Sequence, residues 1–164
     1  MFKDYYKILG ISQQASFNEI KSAYRAMSIK WHPDKNPNQD VTSIMQDINE
    51  AYAILKNDEQ RRRYDKEYRR FAVFYPQLVY KTKNYSENAS SYTTWSYNYD
   101  VQDEDLKEDI RTARQYAQEL VKEFLKSIKE NSNIAVKGAL KNMIPYIWVA
   151  IIIFIFSLIV RTCN

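Results

Sequence analysis

Over the first seventy residues, apolar positions recur at helical spacing and stop at polar or Pro/Gly punctuation. A short helix is predicted from about Asp4 to Leu9, with Gly10 as its C-terminal stop. Ser16 with Glu19 three residues on is a capping-box signature. Behind it Ile20, Ala23, Met27 and Trp31 keep helical spacing until Pro33 and Pro37 forbid continuation. A polar loop, His32 to Asp40, leads to a third helix carrying Ile44, Met45, Ile48, Ala51, Tyr52 and Leu55 on one face. Asn57-Asp58-Glu59-Gln60 caps a fourth, basic helix reaching about Arg70. Two long helices joined by a short polar loop should lie antiparallel, each burying the other's stripe, with the first helix packed across them. Tyr5, Tyr6, Leu9, Ile20, Met27, Ile48, Tyr52 and Leu55 are the expected core. A domain of about 70 residues is near the lower limit for an independent core, which predicts modest stability.

Beyond residue 70 the pattern changes. Nine of the 29 residues from Phe71 to Tyr99 are aromatic, six of them Tyr, and no helical or strand period persists. Residues 71–100 are therefore expected to be a flexible linker of roughly 30 Å root-mean-square span. In residues 101–131 an amphipathic helix is expected, opened by Asp103-Glu104-Asp105. Its stripe is Leu106, Ile110, Ala113, Ala117, Leu120, Phe124 and Ile128, about three heptads. That stripe leaves three uses open: a homodimer through 106–128, packing on the N-terminal domain, or lying on a membrane.

Residues 132–142 are expected to form a juxtamembrane segment, and residues 143–160 carry no charge. Those 18 residues would span roughly 27 Å as a helix, close to the hydrocarbon thickness of a bilayer. Asn142 can cap this helix, Pro145 suits its first turn, and Ile144, Trp148, Ile152, Phe156 and Val160 are its anchor residues. A helix apolar all round needs apolar surroundings on every side, so a transmembrane helix is expected. Lys137 and Lys141 precede it and only Arg161 follows, in the short tail 161–164. The positive-inside rule then puts the N-terminal side in the cytosol, as in a single-pass tail anchor. No apolar leader is seen at the N-terminus.

Composition narrows the chemistry. One His, one Cys and two Gly are too few for a multi-histidine metal site, a zinc knuckle or a Gly-rich phosphate loop. No metal and no cofactor are expected, and no enzyme. The net charge of +4 and the neutral linker argue against nucleic acid, although Arg61-Arg62-Arg63 and the Tyr-rich segment keep a weak nucleic-acid binder as an alternative. The mean hydropathy of −0.58 averages a very polar chain with a very apolar tail.

The lone His32 stands in His32-Pro33-Asp34, between the two long helices. Before it lie Lys21, Tyr24, Arg25 and Lys30; after it comes Asn49-Glu50-Ala51-Tyr52-Ala53-Ile54-Leu55. The chain opens Asp4-Tyr5-Tyr6-Lys7-Ile8-Leu9-Gly10-Ile11, and the fourth helix reads Gln60-Arg61-Arg62-Arg63-Tyr64-Asp65. Together these resemble a J domain, the cochaperone module of the DnaJ family, over about residues 3–68. The resemblance implies an all-α, four-helix J domain in residues 1–70. It implies an ATP-bound DnaK-type heat-shock chaperone as partner, whose ATP hydrolysis the domain accelerates. His32, Pro33 and Asp34 would be the trigger, and Lys21, Tyr24 and Arg25 contact positions on the second helix. The plain alternative for Lys21 and Arg25 is a solvated helix face. Ala26 stands where many relatives carry a basic residue.

No Gly/Phe-rich segment follows residue 70, and there are no paired cysteines for zinc. The chain thus resembles the divergent class that keeps only the J domain, here with a membrane span as its address. The expected function is a membrane-tethered cochaperone working on unfolded or membrane-associated clients at the lipid bilayer. The alternative is a membrane-anchored adaptor whose J-like domain has no chaperone partner. The aromatic linker would be an inert tether or a weak holder of clients.

Overall fold

The computed structural model describes residues 1–77 and 95–131. Asp4, with extended φ and ψ, caps α1 (Tyr5–Leu9) through its carboxylate on the Lys7 N–H, and Gly10 closes it at φ 69°. That left-handed conformation suits glycine, and it lets the Gly10 N–H reach back to the Tyr6 and Lys7 carbonyls. Helix α2 (Phe17–Lys30) starts from the predicted capping box: Ser16 Oγ accepts from the Glu19 N–H, and the Glu19 carboxylate accepts from the Ser16 N–H. Helix α3 (Thr42–Leu55) lacks a side-chain cap from Val41; Asp40 accepts from the Thr42 N–H instead, at 2.9 Å. Asn57 caps α4 (Asp58–Phe74) on the N–H groups of Glu59 and Gln60.

α1 packs on α2 and α3, α2 on α3, and α3 on α4. The Tyr24 hydroxyl donates to Asn49 Oδ1 at 2.9 Å, and the Tyr24 ring stacks on Tyr52 at 4.1 Å. These partners lie at similar distances from the intervening loop, so the hairpin is antiparallel, as its sequence predicts. Tyr5, Tyr6, Leu9, Ile20, Ile48 and Leu55 are buried; Met27 and Tyr52 sit half-buried at the margin.

The fold departs from expectation beyond residue 70. Helix α4 runs to Phe74, because Phe71 is fully buried and holds the last turn against Phe2 at 4.9 Å. The flexible linker expected over 71–100 is corrected at both described ends. At its far end β2 (Ser96–Tyr97) pairs antiparallel with β1 (Phe2–Lys3), in the register Phe2 to Tyr97 and Lys3 to Ser96. Tyr99 stands edge-on to Phe2 and to Phe71, both at 5.5 Å. The aromatics at this end therefore close the core. The small sheet is the one addition to the expected all-α class among the described residues. Residues 78–94 lie outside them.

A further helix, α5, covers residues 104–131 as described. Of the uses left open for its stripe, residues 106–121 adopt packing within the chain. Leu106, Ile110, Ala113, Ala117 and Val121 are buried within the compact unit Met1–Val121. Leu120 is only half-buried and Val121 takes its place in the stripe. A heptad repeat predicts Leu120, but a straight helix drifts about 20° per heptad, which brings the next position round to the core. The second unit is Lys122–Asn164, whose described residues 122–131 continue the helix. No helix of the described residues is long and apolar enough to cross a membrane. The expected span 143–160, with Ile144, Trp148, Ile152, Phe156 and Val160, lies outside the described residues.

Candidate functional site

Trp31 is buried at the end of α2, and the chain turns away from it. His32 is extended (φ −66°, ψ 137°), the conformation favoured before proline. Pro33 then opens a 3-10 turn, Pro33–Lys35, where its missing N–H costs nothing. His32 Nδ1 accepts from the Asp34 N–H at 3.1 Å. Through this contact the ring packs back over the backbone of its own turn. Nδ1 also lies 3.6 Å from the Asp34 carboxylate, which would be an ion pair only with a protonated ring.

The loop is stitched from one residue. Asn36 Nδ2 donates to the carbonyls of Lys30 and His32, both at 2.9 Å. The Asn36 N–H is shared between the carbonyls of His32 and Pro33, at 3.2 and 3.0 Å. Asn36 thus ties the tip to the last turn of α2. The Asp34 side chain remains 72% exposed and that of His32 34%. The arrangement presents a carboxylate and a ring N–H on a short, pinned turn. That suits charge-assisted pairing with a cationic partner at small entropic cost.

Lys21 and Arg25, one turn apart, lie on the outer side of α2, Lys21 exposed and Arg25 exposed with it. Tyr24 between them is different: it is half-buried, stacked on Tyr52 and bonded to Asn49, which in turn donates to the Met45 carbonyl at 2.7 Å. Burial, the largest cause, raises the Tyr24 hydroxyl above its ordinary range. Tyr24 therefore locks α2 to α3 and offers only part of its surface outward. All six residues singled out from the sequence lie on α2 and the loop after it. Sequence reasoning misses Asn36, and the signal for it is weak: an amide two residues after an Asp in a Pro-rich loop. Asn49 is visible in the sequence only as part of a motif.

Glu50 and Glu67 are buried on α3 and α4, and apart from Arg70, one turn from Glu67, their partners cannot be assigned from sequence. Glu50 meets Lys3, Tyr5 and Arg114; Glu67 accepts from the Tyr99 hydroxyl at 2.7 Å and from the Gln102 N–H at 2.9 Å. These partners are 32 to 64 residues away.

Residues 4–65 match the family model of the DnaJ domain. Over 66 residues the chain is 54% identical to the chaperone protein DnaJ of Chlorobium limicola, a match covering 40% of this chain and 16% of that protein. It is 49% identical over 63 residues to the mouse (Mus musculus) DnaJ homolog subfamily B member 12, covering 38% of this chain and 17% of that one. Among solved structures, the J-Trx1 fragment of ERdj5 matches at 33% identity and a TM-score of 0.37, over 57% of this chain and 40% of that chain. The chain thus spans about a sixth of the length of these curated relatives. The N-terminal segment is a J domain, and its relatives are DnaJ chaperones.

Proposed function

We propose that this protein is a cochaperone that binds an ATP-bound DnaK-type heat-shock chaperone through the His32-Pro33-Asp34 tip and accelerates its ATP hydrolysis. The observation that carries this reading is the pinned turn itself. It holds the motif of a DnaJ domain with the Asp34 carboxylate exposed and both ends tied to α2. Lys21 and Arg25 lie free of carboxylate partners among the described residues, so they can steer the domain to an acidic surface of the chaperone. Tyr24 supports them as part of the hairpin lock. The protein performs no catalysis of its own; it acts on the partner's active site.

The rest of the reading is a tether. Residues 143–160, uncharged and long enough to cross a bilayer, hold the J domain at a membrane, with residues 1–142 on the cytosolic side. Chaperone activity is thereby recruited to clients at that surface.

The test is single-turnover ATP hydrolysis by a DnaK-type chaperone with and without the full chain. Wild type raises the rate; Asp34→Asn and His32→Gln abolish the rise while leaving the circular dichroism unchanged. Stimulation that survives both substitutions discards the assignment. Protease protection of vesicle-inserted chain tests the topology, and a shielded J domain would overturn it.

A further inference from the structure

Helix α4 carries six cationic side chains, and the structure divides them into two groups. Arg61 donates to the Gln13 and Ala15 carbonyls and to the Tyr6 hydroxyl. Arg63 pairs with Glu59 and with Asp109 of α5, and Arg70 pairs with Glu67. Arg62, Lys66 and Arg69 are exposed, and among the described residues none of them has an ion-pair partner. Arg62 bonds only its own turn, through Nε to the Asp58 carbonyl at 3.2 Å.

The second group is ordered. At about 100° per residue, positions 62, 66, 69 and 73 fall within an arc of about 60°. The buried side chains of the helix, Tyr64, Glu67, Tyr68 and Phe71, lie on the opposite side. The outer face thus reads Arg, Lys, Arg, Val over three turns. It ends in Val73, 78% exposed; Phe74, 70% exposed, follows about 100° round the helix, on the flank of this face beside Tyr99. Arg62 and Lys66 are like charges one turn apart, which a free helix disfavours. Of the neighbouring carboxylates, Asp65 is engaged by Tyr6 and Arg61 and Glu59 by Arg63; Asp58, one turn before Arg62, meets it only through the backbone carbonyl.

We propose that this face of α4, Arg62, Lys66 and Arg69 with Val73 and Phe74 at its end, docks the J domain on the anionic surface of a lipid bilayer. A row of cations beside exposed apolar side chains is the chemistry of an interfacial helix: the charges meet anionic headgroups while the apolar end enters the acyl boundary. A nucleic acid would use the cations but leave Val73 and Phe74 uncovered; an acidic protein could cover both, and the uncharged stretch 143–160 of the same chain favours a bilayer over it. The uncharged stretch 143–160 of the same chain supplies the bilayer; to that extent the inference rests on the tethered reading above. The placement also suits the tip. Helix α3, 14 residues or about 21 Å long, separates the start of α4 from the His32-Pro33-Asp34 loop. The Arg62 end of this face, in the first turns of α4, therefore lies at the far end of α3 from the trigger.

The experiment places an environment-sensitive fluorophore at Val73→Cys, in the full chain with Cys163→Ser, and adds vesicles of phosphatidylcholine alone or mixed with phosphatidylserine. Emission shifts to the blue with phosphatidylserine and not without it, and the shift is reversed by high salt. In Arg62→Glu/Lys66→Glu/Arg69→Glu the ratio of docked to undocked domains falls on the order of 100-fold. Equal emission in the two lipids overturns the proposal, and the salt series on the wild-type face decides the matter without the triple variant. A triple variant that keeps the shift also overturns it. So does one that loses chaperone stimulation or nucleic-acid binding in solution while the wild-type face shows no lipid response, since the face then serves another macromolecule. Alkaline carbonate extraction reads the anchor separately. An extractable chain that retains the lipid-dependent shift sinks the anchor alone, and an integral chain without the shift sinks the face alone.

Discussion

Arg114 of α5 clamps the carboxylate of Glu50 on α3, with Nη2 at 3.1 Å from Oε1 and Nε at 3.2 Å from Oε2. Lys3 Nζ lies 2.6 Å from Oε2, and the Tyr5 hydroxyl donates to Oε1 at 2.8 Å. Burial by itself would raise the Glu50 carboxyl, but the Arg114 hydrogen bonds and the Lys3 charge outweigh it and hold the group below its ordinary range. One carboxylate thereby joins β1, α1, α3 and α5.

Arg114→Ala leaves Glu50 buried with Lys3 as its remaining cation. Removing one partner of a fully buried pair costs about 3–5 kcal/mol. The Arg114 side chain is 38% exposed, so solvent screens the pair and the expected loss is about 1–2 kcal/mol. Urea unfolding of the full chain measures it. Arg114→Ala combined with Glu50→Gln should cost less than the sum of the single changes, because no unpaired charge remains. Additive losses would mean that the two side chains do not interact.

Leu106 is fully buried, whereas Leu120 is half-buried. Leu106→Ala is expected to destabilise by about 2–4 kcal/mol, through lost burial and the cavity left behind. Leu120→Ala should cost well under half of that. Thermal unfolding distinguishes the two, and equal losses would show the heptad stripe rather than the observed one to be the packed face.

Stability should fall in acid through Glu50. Its folded value lies below the unfolded one, so its contribution is complete above the unfolded value of about 4.3 and fades as pH drops through the folded value. Glu50→Gln should flatten this acid limb. At the alkaline end, burial first, and then nearby carboxylates, raise the hydroxyls of Tyr5 and Tyr64. Those neutral hydroxyls contribute fully below about pH 10, and the contribution is lost as pH climbs towards their folded values. Unfolding midpoints measured from acid to alkaline pH check both limbs; a flat profile would contradict them.

Asn36→Ala removes both side-chain donors that pin the tip to α2. The expected cost in global stability is about 1 kcal/mol. The effect on chaperone stimulation should be larger in proportion, because the loop then loses its fixed shape before binding. Faster amide exchange at Asp34 and Lys35, with the helices still protected, would establish this. Unchanged loop exchange would refute it.

Much of the J domain is legible because its signals are local. A capping box, a glycine stop and two prolines mark where α2 begins and where α1 and α2 end, and helical spacing selects Ile20, Ile48 and Leu55 for the core. The trigger is legible as His32-Pro33-Asp34 in its setting. Its stiffness is not, since that depends on Asn36 folding back onto the Lys30 carbonyl. Residues 95–101 mislead for a different reason: Trp95, Tyr97, Tyr99 and Val101 do alternate with Ser96, Asn98 and Asp100, but this period of two is short and sits in an otherwise irregular stretch, and its partners Phe2 and Phe71 come from elsewhere in the chain.

The sequence by itself determined the helices of the J domain, the composition of the tip and the presence of a long uncharged segment near the C-terminus, because caps, breakers and periodicity act over a few residues. Only the tertiary structure decided that α5 packs on this domain through residues 106–121, that Glu50 and Glu67 are satisfied from 32 to 64 residues away, and that three cations of α4 are left facing outward. Such choices depend on which surfaces meet once the chain has folded: local spacing supplies Arg70 to Glu67, but no local pattern brings Tyr99 to Glu67 or Arg114 to Glu50.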